Sequence, residues 1–382
     1  MRLRNFITST PGKTLLVLLM VLALLSAPGC GKIDPVIQEG SESPEDLSDP
    51  KIPLIFNALA DSTITKAVTN KAMGSAYDTN ESFVAYAAYS EDPFTPTISG
   101  SYSDFWDQNG LTCTYTGSYN AWAPSTTYYW PKAGYLTFQA YSPAVAPGLT
   151  STTHSWSDGF TFSNFTVQNA GSQYDLLYTE RVENCQRSNY TISRSNGYDD
   201  DPNYPTFIYN GINLAFKHAL SLIEVQAASA LGSNATLKFY VQKIVLKNAY
   251  YKGTFTQNNE SWDVVNSMVD YTVLDKDSDW QVLPGADESP ASINPGLTLI
   301  LMPQALHRSA GTTLDTATDA YLEVTYKEGS TGAATTIQIP LPDPWERGKK
   351  HTYRLVFSSH IEFTARITDW DDEIRGYHRI VI

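Results

Sequence analysis

Gly134-Tyr135-Leu136-Thr137-Phe138-Gln139-Ala140-Tyr141-Ser142 alternates without a break, with Leu136, Phe138 and Ala140 on one side and Tyr135, Thr137, Gln139 and Tyr141 on the other. A side-chain period of two is the pattern of a half-buried strand, because successive Cβ atoms point to opposite faces of a sheet. The pattern recurs in both directions along the chain. Ile52, Leu54, Phe56 and Ala58 alternate before it, and Phe83 to Tyr89 is an apolar-aromatic run. After it come Ile212 to Phe216, Thr236 to Leu246, Gly296 to Met302, Tyr321 to Tyr326, Thr335 to Leu341, Thr352 to Phe357 and Ile361 to Ile367. His218 to Leu231 stays ambiguous, since Leu220, Ile223, Ala227 and Leu231 also fit a helical stripe. Turn-rich stretches such as Ser90 to Tyr102 and Pro143 to Thr153 separate the runs. Many short strands without intervening helices predict an all-β chain of antiparallel β-sandwich domains. The polar, acidic stretch from Ser193 to Pro205 divides an N-terminal sandwich (51–205) from a C-terminal one (206–382).

Composition narrows the function classes. Aromatic residues make up 12% of the 382 residues, with 24 Tyr, and charged residues only 17%. That mixture suits pleated sheets and excludes a coiled coil. A hydrophobic content of 42% is enough to fill a core, which excludes a wholly disordered chain. The formal net charge is −14 and there is no basic stripe, so nucleic acid is not an expected partner.

Residues 1–29 read as an export signal. Arg2, Arg4 and Lys13 precede the apolar run Leu15 to Leu25, which is too short to span a bilayer and has the length of a signal-peptide core. It ends in Ser26-Ala27-Pro28-Gly29-Cys30, a small residue followed by Cys, as in a bacterial lipobox, although Ala27 stands where Leu is usual. Cys30 is therefore the expected lipidation site, with outer-membrane attachment through the lipid; an ordinary secretory signal with an incidental Cys30 is the other reading. Residues 30–50, rich in Gly, Ser and acids, read as a flexible tether. An exported setting permits a disulfide between Cys113 and Cys185, and two buried thiols fit the sequence equally well.

The search for chemistry finds little. There is no G-x-S-x-G elbow, no phosphate-binding glycine loop and no H-E-x-x-H pair, so no catalytic or metal residues are assigned, no cofactor is expected and the protein reads as a non-enzyme. His351 and His360 are neighbours in sequence but read as turn and surface residues. Asp275-Lys276-Asp277-Ser278-Asp279 resembles the start of a calcium loop, but Trp280 and Ala286 stand where that loop needs Gly and Glu. Asp371-Asp372-Glu373 likewise reads as a solvated acidic turn. Trp106, Trp122, Trp130, Trp156, Trp262 and Trp280 could stack on sugars, which supports an alternative function as a glycan-binding surface lipoprotein.

Two chain segments carry mechanical meaning. The first strand, with Ile52, Leu54 and Phe56, also holds Pro53, which suits an edge strand, and Lys66 and Lys71 follow in polar sequence as protease-sensitive positions. Removing an edge strand exposes an apolar groove with unpaired backbone groups, open to a strand from another subunit. Ile380-Val381-Ile382 in the apolar tail is a candidate donor, while the simpler reading has both segments completing their own sheets.

Several motifs together resemble the fimbrillin-like (Mfa-like) lipoproteins of Bacteroidales: Leu136-Thr137-Phe138-Gln139-Ala140-Tyr141-Ser142-Pro143, Phe216-Lys217-His218-Ala219-Leu220-Ser221, Met302-Pro303-Gln304, and Trp345-Glu346-Arg347-Gly348-Lys349-Lys350-His351-Thr352-Tyr353 with Ile367-Thr368-Asp369-Trp370. The resemblance implies two transthyretin-like β-sandwich domains, export as an outer-membrane lipoprotein and a role in type V pili. It further implies that a trypsin-like protease removes the leader and first strand, after which subunits join by strand exchange. Two departures stand out. No Arg occurs between Cys30 and Arg181, so cleavage falls to Lys66. The tail after Trp370 reaches roughly 40 Å when fully extended, enough for one strand with little linker, which fits a tip or anchor subunit.

Overall fold

The computed structural model describes residues 51–60, 77–118, 120–190, 193–194, 207–208, 211–232, 234–282, 291–292, 298–309, 313–342, 344–358, 361–370 and 378–381. It is an all-β structure, and the alternating runs read from the sequence lie in strands wholly or in part where they are described. Tyr135–Ser142, the opening stretch, is a strand whose Leu136, Phe138 and Ala140 are completely buried. Gly134 precedes it at φ +81°, where a Cβ would come within 2.7 Å of the Ser90 carbonyl, so only glycine fits this turn. The ambiguous stretch resolves as a strand, Ser221–Ser229, because neighbours on both sides bury it. Asp275 to Asp279 also lies in a strand, Met268–Gln281, and not in a loop.

The pairings of the largest sheet close on themselves. Tyr135–Ser142 pairs with Leu177–Thr179, which pairs with Ile212–His218, then Phe56–Ala60, Ala121–Pro124, Leu111–Thr116 and Phe83–Ser90, and the last of these pairs again with Tyr135–Ser142. A ring without free edges suits the apolar interior, which holds Phe56, Phe83, Trp106, Phe138 and Phe216. Most strand pairings are antiparallel, as expected. Among the described residues two are parallel: Phe56–Ala60 with Ile212–His218, and Ser221–Ser229 with Lys349–Phe357.

Pairing also crosses the expected boundary. Residues 195–206 lie outside the described set, and Ile212–His218, expected in the second half, belongs to the closed ring of the first. The chain then changes sheets through Ala219 and Leu220. A separate four-stranded sheet joins Ser151–Ser155 and Gly159–Thr166 to Lys252–Thr256 and Ser261–Val264, with Phe162 opposite Phe255. Gln257 ties this sheet to the ring. Its Oε1 accepts from the Phe160 N–H (3.1 Å) and from Gln139 Nε2 (3.0 Å), while its Nε2 donates to the Thr179 carbonyl (3.0 Å). Gln139 Nε2 and the Thr179 carbonyl also bond each other (3.1 Å), so Gln257→Leu would strand the Phe160 N–H alone, and a loss of about 1–3 kcal/mol is expected in urea unfolding.

His351, on the strand Lys349–Phe357, is buried and its Nε2 accepts from the Glu346 N–H at 3.1 Å. Burial, helped by the Lys349 charge, lowers its pKa from 6.5 to about 4. Between those values the unfolded chain binds a proton that the folded chain refuses, so stability present above pH 6.5 falls as pH drops toward 4. The pKa of His154 is lowered over the same window by burial, so His351→Gln, which keeps an acceptor but does not titrate, is expected to reduce the slope without abolishing it in urea titrations at pH 7.5, 6 and 5.

Candidate functional site

Residues 52–58 lie in a groove. Ile52, Leu54, Ile55, Phe56 and Ala58 are all buried, and Phe56 completely so. On one side Phe56–Ala60 runs parallel to Ile212–His218, in register from Phe56 opposite Ile212 to Ala60 opposite Phe216. On the other, the Leu54 N–H donates to the Tyr128 carbonyl (2.8 Å), the Trp130 N–H donates to the Ile52 carbonyl (2.9 Å), and Phe56 faces Trp122. Pro53 forms a bridge with Tyr129 ahead of the strand. The first strand is therefore an inner strand with partners on both sides, where the sequence pointed to an edge. Pro53 fits because it lies before the regular ladder, where its missing N–H is not required.

Phe56 sits at the centre of an aromatic cluster. Its ring meets Phe138 at 5.4 Å, Phe83 at 5.9 Å and Trp106 at 6.4 Å between centroids, each edge-on, the arrangement aromatic quadrupoles prefer. Burying side chains of the size of Ile52, Leu54 and Phe56 contributes about 1.5–3 kcal/mol each. Asn57 points the other way. Its Nδ2 donates to Asn213 Oδ1 (3.0 Å) and to the Gly211 carbonyl (3.3 Å). A Cβ on Gly211 would lie 2.7 Å from Asn57 Oδ1, so glycine permits this close approach.

The end of the groove wall is held from other directions. Phe216, Lys217 and His218 pair with Leu177–Thr179 on the far side. Lys217 forms ion pairs with Glu180 (2.7 Å) and Glu260 (3.5 Å). Glu260 also accepts from Tyr178 Oη (2.9 Å) and from Arg347 (2.5 Å); burial raises its pKa, but these partners and Lys217 together hold it below the usual carboxylate value. His218 Nδ1 contacts Asp175 Oδ2 at 2.7 Å, and the imidazole stacks on Trp370 at 4.1 Å. The residues Phe216 to Ser221 and Trp370 thus serve to anchor the wall, which explains their place among the motifs.

The other residues singled out by sequence fall elsewhere. Cys30, Lys66, His360, Asp371 to Glu373 and Ile382 lie outside the described residues. Ile380 and Val381 belong to His378–Val381, which pairs antiparallel with Ile361–Asp369, Ile380 opposite Phe363. The tail strand therefore lies on its own sheet here. Cys113 and Cys185 are free, buried thiols, and burial pushes both pKa values up. Trp106, Trp122, Trp130 and Trp156 are buried in the core clusters and offer no open face for a sugar. The described residues contain no group of His, Cys, Asp and Glu that could hold a metal ion. Sequence reading missed Asn57, Gly211 and Asn213; a glycine before an alternating run was their only signal.

The model of the fimbrillin-like family matches residues 65–370, most of the chain. The chain belongs to the fimbrillin-like family. Among solved structures, this fimbrillin-like chain is similar to a fimbrial protein from Bacteroides vulgatus, at 16% identity and a TM-score of 0.52, covering 83% of this chain and 99% of that one. It also aligns with candidate cell adhesion proteins from Bacteroides uniformis (14% identity, TM-score 0.43, 84% and 100% covered) and Bacteroides ovatus (12%, 0.45, 85% and 100%). No curated protein matches the chain. The family match begins beyond Phe56–Ala60, so the groove-filling strand lies outside it.

Phe56→Ala is expected to cost about 3–5 kcal/mol in urea unfolding, because it empties an aromatic site at the centre of the ring. Leu59→Ala, on a side chain 48% exposed, is expected to change stability by no more than about 0.5 kcal/mol.

Proposed function

We propose that this fimbrillin-like protein is a structural subunit of a cell-surface pilus, exported as an outer-membrane lipoprotein through Cys30 and assembled by strand exchange. The observation that carries the reading is the buried segment 52–58, paired on both sides in a ring that closes only through it. Cleavage at Lys66 by a trypsin-like protease frees that segment from the covalent chain. Its loss leaves the walls at Ile212–His218 and at residues 121–130 with unpaired backbone groups above an apolar floor. A strand supplied by another subunit restores both the pairing and the burial. The anchored end of the wall, Phe216 to His218, supports this reading, because it keeps partners when the first strand is absent. The family match starting at residue 65, next to Lys66, supports it too. The two-domain division is kept in this proposal, with the change of sheet at Ala219 and Leu220 as its physical junction.

Treating the chain from Gly31 with a trypsin-like protease is expected to give a new N-terminus at Ala67 and, once a subunit with a matching strand is added, multimers that collapse on boiling. A monomer that keeps its first strand under these conditions would overturn the proposal. Deleting Arg375 to Ile382 tests the tail separately: folding is expected to survive, and any multimers that depend on the tail are expected to vanish.

A further inference from the structure

The groove specifies more than a generic apolar strand. Leu54, Phe56 and Ala58 project into it in succession and are 1%, 0% and 5% exposed, so its floor accepts an aliphatic, an aromatic and a small side chain in that order. The central position is the most demanding, since Phe83, Trp106 and Phe138 close around one ring edge-on. On the opposite face Asn57 reaches Asn213 and Gly211, which fixes register by a single residue. In a strand a shift of one residue turns every side chain to the other face, so these requirements act together.

The chain's own tail, Arg375-Gly376-Tyr377-His378-Arg379-Ile380-Val381-Ile382, does not meet them. Its one aromatic is Tyr377. Setting Tyr377 in the site of Phe56 brings Arg379 to the site of Ala58, where a guanidinium would be buried without a partner from the strand it replaces. The opposite phase directs His378, Ile380 and Ile382 inward and puts an isoleucine where the cluster holds a ring. With Ile380 in that site, Val381 replaces Asn57 and loses both amide contacts.

We infer that the groove receives the strand of a different subunit, with the pattern aliphatic–aliphatic–aromatic–Asn-like–small, and discriminates against the tail of a second copy of this chain. This inference rests on the strand-exchange reading above. It makes assembly at this groove heterotypic. The buried aromatic site supplies the selectivity, and the Asn213–Gly211 contact supplies the register.

The test uses the full chain treated with a trypsin-like protease, with mass spectrometry to follow release of the first strand. Three fluorescent peptides are offered: residues 51–60, residues 375–382, and residues 375–382 with Ile380→Phe. The first is expected to bind, and Ile380→Phe is expected to bind at least ten-fold more tightly than the natural tail in anisotropy titrations. Asn213→Leu in the protein is expected to weaken the 51–60 peptide and leave the natural tail unchanged. Natural tail binding as tightly as the other two peptides overturns the heterotypic inference and leaves strand exchange standing. Failure of the protease to release the strand, or of every peptide to enter after release, overturns strand exchange and this inference with it.

Discussion

Phe56 joins parts of the chain that are far apart in sequence: Phe83 and Trp106 from the strands and turns that follow it, Phe138 from the central strand, and Ile212 across a parallel ladder. Nothing local would bring these residues together. A ring of strands with an aromatic interior leaves no edge to solvent, but it closes only if every member is present. The member that closes this one is a short segment near the start of the described chain, followed by polar sequence. Stability and vulnerability therefore coincide at one strand. Loss of this segment would forfeit several kcal/mol of burial.

The strand beside this segment has supports of its own at one end. Phe216 to His218 are braced from behind by Leu177–Thr179, by the Lys217 ion pairs and by the His218–Asp175 contact under Trp370. Exposed ion pairs contribute little singly, but Glu260 collects Lys217, Arg347 and Tyr178 at one carboxylate, and a network holds geometry better than separate pairs. Beyond the wall, Gln257 and the sheet built from both halves carry the bracing into the remainder of the molecule. The motif Met302-Pro303-Gln304 has the same kind of role. Gln304 Nε2 donates to the Tyr250 carbonyl and its Oε1 accepts from the Tyr250 N–H, while its backbone pairs with Trp345.

The family motifs described here serve as scaffold. A groove for a strand needs two unpaired walls and a graded floor, and neither requires the residue types that mark chemistry. Four of the indoles that might have formed a sugar platform, Trp106, Trp122, Trp130 and Trp156, are used in the floor and in the cores beside it.

Periodicity of two, dense β-branched and aromatic residues and regular turn signals were sufficient to read an all-β chain from the sequence, because they are local properties of a pleated surface. The family resemblance was legible as well, since its motifs occupy positions where packing tolerates few alternatives. Strand order was not legible. The segment 52–58 reads as an edge strand because Pro53 lacks a donor, yet Pro53 stands just before the ladder and the strand behind it is enclosed on both sides. The change of sheet at Ala219 and Leu220 was hidden because alternation runs through both flanking strands and names no partner. Asn57, Gly211 and Asn213 were invisible for the same reason: their meaning arises across a parallel pairing of residues more than 150 positions apart. A period tells which face of a strand is buried; only the closure of the tertiary structure decides what it is buried against.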